Sequence, residues 1–285
     1  MLLLLVCLFC LAGWTWLLCR NALITRGGRV SAGLWRLPDA ILGAVLGLFF
    51  IYAIAMGATR PPQAVTPDGM KAALFNYAFM LFGVAAFVVL PRIHLHRLLD
   101  VLETHPGRAL HLATASTGIV LKRAFGFFPP HPARVIGLGV LCILLTYPLV
   151  LAMQQVVACF GQSASDGDEM VHYLQGSLSM ADKAWAVFMA VVAAPLTEEF
   201  IFRGFLYGVL KKYAGSLGAM PACALLFAGI HLNVPAIPAL FTLAVCLTLA
   251  YEITGSLWTP IVMHMIFNLV PVILILWFPE WTSKL

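Results

Sequence analysis

Charge is what this sequence has least of: Asp, Glu, Lys and Arg make up 10% of its 285 residues, where a soluble domain carries about a quarter. Too few polar side chains remain to cover a water-facing surface, so a soluble globular domain is excluded. Cysteines number seven, and Cys7, Cys10, Cys19, Cys142, Cys159, Cys223 and Cys246 all fall within or beside apolar runs. That placement argues against a disulfide framework, and Cys7-x-x-Cys10 has no His or carboxylate nearby to make a metal or redox site. Residues 1–19 lack the basic start and small-x-small cleavage pattern of a removable signal peptide, so they are expected to form a retained helix. There is no evident internal repeat, and no His-Glu-x-x-His helix of the kind zinc peptidases use.

What is present is apolar length. The chain is 62% hydrophobic, and a membrane-spanning helix needs about 20 such residues in a row. Runs of that kind occur near 1–19, 38–58, 72–91, 134–160, 184–207, 217–232, 235–253 and 257–278. The expected fold is all-α, a polytopic transmembrane bundle of about eight spans. Residues 1–183 form an N-terminal membrane region of about four spans, and 184–285 a second unit of about four. Arg20, Arg26, Arg29 and Arg36 follow the first run, six more basic residues lie between Arg92 and Arg134, and Lys211 and Lys212 follow the fifth. With eight alternating helices these loops share one side, which the positive-inside rule makes cytoplasmic, with both termini outside. Segment 92–133 has Leu95, Leu98, Leu99 and Leu102 at helical spacing and is expected to lie along the cytoplasmic interface. Its His94, His96, His105 and His111 read as a solvated face rather than metal ligands. Residues 161–183, with Asp166, Asp168 and Glu169, read as a solvated external loop in preference to a calcium site.

Ionisable groups inside a span cost on the order of 2.5–3.5 kcal/mol each on insertion scales, so they mark function by default. The second half concentrates them. Glu198, Glu199 and Arg203 interrupt one apolar run; Glu199 and Arg203 are four apart and share a helix face, which lets them pair. Glu198 is turned about 100° away, as the freer carboxylate. A turn at Ala214 and Gly215 makes the fifth and sixth helices an antiparallel hairpin, in which Glu198 and His231 are nearly equidistant from the turn and reach one depth. A carboxylate and an imidazole at one level can share a water. His264 and Asn268, also four apart, follow the helix-starting Pro260 and supply donors of the kind that stabilise an oxyanion.

The series Glu198-Glu199-x-x-x-Arg203, Phe227-x-x-x-His231 and His264-x-x-x-Asn268 resembles the motifs of the CAAX protease and bacteriocin-processing family, also called Abi. The resemblance covers about residues 184–270. It implies a glutamate-dependent intramembrane endopeptidase with no cofactor and no bound metal. Glu198 and His231 would activate water, Glu199 would support that role, Arg203 would hold the carboxylates, and His264 with Asn268 would hold the oxyanion. The implied partners are the lipid bilayer and a membrane-anchored protein or peptide substrate, lipidated or not; no nucleic acid is implied. The short loops and compact size suggest a prokaryotic cell membrane. Three other readings stand beside this one: a zinc peptidase using His231, His264 and a Glu, a proton-coupled transporter with a Glu and His relay, and a non-catalytic immunity or scaffold protein.

Overall fold

The computed structural model describes residues 2–20, 28–30, 32–33, 35, 37–58, 75, 78–79, 125–127, 129, 131–161 and 179–278. These residues form helices and connecting turns, with no strand among them. In chain order the helices are α1 (Leu2–Arg20), α2 (Leu37–Ala58), α3 (Pro132–Ala158), α4 (Met180–Gly229), α5 (Ile237–Thr254) and α6 (Trp258–Trp277). Five of the six, α2 to α6, are long and apolar enough to cross a membrane, and α1 adds a shorter apolar helix, Leu2–Leu18. The chain is a multi-pass integral membrane protein.

The eight spans expected from hydropathy are not matched one for one. The expected span 72–91 and the interfacial segment 92–133 lie almost wholly outside the described residues, as does most of the acidic loop 161–183. The expected spans 184–207 and 217–232 occur as one 50-residue helical stretch, α4. That stretch is not straight. Gly215 has φ 67° and ψ 175°, a conformation essentially confined to glycine, and the chain doubles back there. The Cys223 thiol reaches the Phe202 carbonyl at 3.3 Å, although 21 helical residues would span about 30 Å if straight. The limbs before and after Gly215 are therefore the hairpin that the Ala214–Gly215 turn predicts. A Cβ at Gly215 would meet nothing within 4 Å, so backbone strain alone opposes substitution. Gly215→Ala is expected to lower stability by about 1–3 kcal/mol, measured as unfolding in detergent.

α5 is the axis of the bundle. It packs on α3, on the second limb of α4 and on α6, and its residues enter both apolar cores. One core joins Ala244 and Tyr251 to Phe202, Phe205, Phe227 and other residues of α4; the other joins Leu243, Leu247 and Ala250 to Trp14 of α1 and Ile143 of α3. A helix apolar on all sides suits such a central position. α2 sits at the periphery, with most of its surface turned outward, and rests on both limbs of α4.

The Lys211 end of the hairpin is tied to the N-terminal region through Glu252, which is fully buried. Its carboxylate accepts from Tyr207 Oη at 2.5 Å, Lys211 Nζ at 2.5 Å and the Val30 N–H at 3.1 Å. The Arg29 N–H donates to the Glu252 carbonyl at 3.0 Å. Gly28, at φ 80°, permits this approach, because a Cβ there would lie 1.9 Å from the carboxylate. Glu252 was not singled out from the sequence, although an acid within an otherwise apolar run is the signal that drew attention to Glu198.

Candidate active site

Four ionisable side chains meet where the first limb of α4 packs against α6. Glu199 is fully buried, and Glu198, Arg203 and His264 nearly so. Arg203 donates from Nη1 to Glu199 Oε1 at 2.9 Å and from Nη2 to the Ala244 carbonyl of α5 at 3.2 Å. His264 Nδ1 lies 2.9 Å from the same Glu199 oxygen. An ionised carboxylate only accepts, so Nδ1 carries the hydrogen of that bond. The other ring nitrogen, Nε2, faces Glu198 Oε2 at 3.7 Å, beyond direct hydrogen-bond range and within reach of a shared water. Glu199 is thus committed to a cation and an imidazole, while Glu198 stands at the open side of that imidazole.

The local backbone explains how adjacent glutamates take different environments. Two π-helical turns, Met189–Ala193 and Phe200–Leu206, flank the short α-helical segment Ala194–Glu199. Turns of this kind widen the helix by a residue and recur at functional sites. Pro195, which has no N–H to return to the preceding turn, follows the first of them. The Thr197 hydroxyl lies within hydrogen-bond reach of both the Ala193 and Ala194 carbonyls, supplying its one hydrogen where the ladder is irregular.

Phe227, on the second limb, is the apolar centre of the site. Its ring centroid is 4.6 Å from the Arg203 guanidinium carbon, 4.9 Å from the His231 ring and 5.7 Å from the His264 ring. A desolvated guanidinium over an aromatic face is attracted by the ring quadrupole. The sequence motif contains Phe227 without giving it a task; the structure makes it the common neighbour of three polar side chains.

The remaining candidates are placed less centrally. His231 lies just beyond the end of α4, is exposed, and puts Nδ1 2.8 Å from the Phe227 carbonyl. Asn268 donates Nδ2 to the Ala190 carbonyl of the first π-turn at 2.8 Å, and a carboxamide nitrogen carries a second hydrogen. The imidazole brought beside Glu198 is that of His264; helix spacing alone points to His231. Among the described residues no group of three or more His, Cys, Asp or Glu side chains is arranged to hold a metal ion.

Residues 180–270 match the family described as Rce1-like, type II CAAX prenyl endopeptidase. The membrane-embedded CAAX protease MroQ of Staphylococcus aureus (strain USA300) is 30% identical over 148 residues, which cover 50% of this chain and 60% of that protein. The match thus spans less than two thirds of that relative. No solved structure matches.

Proposed function

We propose, from the match of residues 180–270 to the Rce1-like CAAX endopeptidase family and the likeness to a membrane-embedded CAAX protease, that this chain is a membrane endopeptidase that hydrolyses a peptide bond of a membrane-associated protein or peptide. The catalytic unit is 184–285, with the site among the helices that carry Glu198, His231 and His264. The observation that carries the reading is the buried cluster in which one glutamate is neutralised and its neighbour is left beside an imidazole.

In this reading Glu198 is the general base, with His231 approaching the same water from the second limb. Glu198 takes the proton as the water oxygen bonds to the scissile carbonyl carbon. The C–N bond then breaks, and the proton passes from Glu198 to the departing amine. His264, carrying a proton on Nε2, and the second N–H of Asn268 stabilise the oxyanion. Glu199 and Arg203 act through position, holding the His264 ring in its orientation.

The test is cleavage of a library of membrane-anchored peptides by purified protein in detergent, with new termini identified by mass spectrometry. Cleavage by the wild type that vanishes in Glu198→Ala and in His231→Ala, and survives a chelator, is the expected result. Equal products from all three proteins would sink the reading. Loss on chelation with recovery on adding zinc would transfer it to the metallopeptidase class.

A further inference from the structure

Leu232 follows His231 and holds φ at 55°, the left-handed region that a bulky side chain rarely occupies. It is the only positive-φ residue other than glycine among the described residues. Such a conformation persists only where its surroundings impose it. α4 ends at Gly229; the Leu232 N–H donates back to the Gly229 carbonyl at 3.1 Å, and Asn233 accepts from the Ala236 N–H through both its carbonyl and its side chain. A further constraint comes from α2. The Leu232 side chain closes an apolar groove of about 270 Å³ whose other walls are Phe49, Tyr52, Ala53, Met56 and Gly57. A Cβ at Gly57 would lie 2.3 Å from Leu232 Cδ1, so an alanine there would push the half-exposed leucine side chain out of its present position.

We propose that Leu232 is a positioning residue for His231, and that α2 supplies the seat that makes it one. The leucine side chain, lodged against Gly57, holds the turn in its left-handed conformation and thereby fixes where the imidazole points. The inference rests on the role proposed for His231. A second line of contact runs parallel to it: Phe50 of α2 stacks on Phe202 at 5.3 Å, Phe202 meets Phe227 edge-on at 5.3 Å, and Phe227 borders both histidines. α2 therefore reaches the site from two directions through apolar contacts.

The experiment uses the full chain in detergent micelles and three variants: Leu232→Ala, Leu232→Met and Gly57→Ala. Gly57→Ala dislodges the leucine without altering the turn's own sequence, and Leu232→Met refills the groove. Three quantities are read: kcat and KM on a cleaved peptide, thermal unfolding, and the His231 imidazole NMR resonance, assigned with His231→Gln. Expected are a fall in kcat on the order of 10–100-fold for Leu232→Ala and Gly57→Ala, unchanged KM and melting, a displaced His231 resonance, and restoration of both signals in Leu232→Met. An unmoved His231 resonance in the alanine variants, or no restoration by methionine, overturns the proposal. Because the resonance is read without substrate, it decides this inference even if Glu198→Ala should leave cleavage intact and so remove the proteolytic reading.

Discussion

Arg203→Met is expected to destabilise the protein by about 3–5 kcal/mol, the usual cost of leaving one member of a buried ion pair without its partner. Glu199 is fully buried and shares one oxygen between Arg203 and His264, so removal of the guanidinium leaves a carboxylate that water cannot reach. The Ala244 carbonyl also loses its donor from Arg203, while the Thr248 hydroxyl still reaches it at 2.9 Å. The contrast lies in the double variant. Glu199→Gln with Arg203→Met removes both charges, and replacing a buried pair by neutral groups of similar volume is often close to neutral for stability. Denaturant unfolding in detergent should therefore place the double variant nearer the wild type than Arg203→Met alone. If Arg203→Met unfolds like the wild type, the pair does not carry the weight assigned to it.

Glu198→Gln is expected to show the opposite profile, with cleavage reduced by about 10²–10⁴-fold, the range for loss of a general base, and unfolding little changed. Gln preserves the shape and length of the side chain, and the nearest imidazole nitrogen, His264 Nε2, stands 3.7 Å from Glu198 Oε2, beyond direct hydrogen-bond range. Single-turnover rates on a cleaved peptide, set beside melting curves, separate this outcome from misfolding. A glutamine variant that cuts at the wild-type rate would move the base to another residue. Adjacent glutamates on one helix should thus divide, one sensitive in stability and one in rate.

Much of this was legible in the residues, because the governing rules are local. The four-residue spacing of Glu199 and Arg203 gives their ion pair without any knowledge of the fold. Ala214–Gly215 gives the hairpin, since a glycine at that point of a long apolar run is where a chain can reverse. The boundaries of α2, α3, α5 and α6 lie within a few residues of the apolar runs. What spacing could not give depends on contacts between helices. The approach of His264 to both carboxylates is set by how α6 crosses the first limb of α4, and the two π-turns shift side chains in ways that a rotation of 100° per residue does not describe. Glu252 was visible by the same rule as Glu198 but lay near a helix end, where an acid attracts less notice. The count of about eight spans is not confirmed: the run 72–91 lies almost wholly outside the described residues, while the runs 184–207 and 217–232 are the two limbs of one helical stretch bent back at Gly215.

The bond between the Val30 N–H and the Glu252 carboxylate joins residues 222 positions apart, and this has a consequence for biogenesis. At translation rates of roughly 5–20 residues per second, about 10–45 s separate the synthesis of the two ends. During that interval the segment around Gly28 waits without its partner while the intervening helices enter the bilayer. Glu252 in turn arrives as an acid whose docking place was made first. The final closing of the bundle is thus a late event set by the last third of the chain, and a protein shortened at its beginning would leave Glu252 and Lys211 to complete their packing without the backbone that receives them.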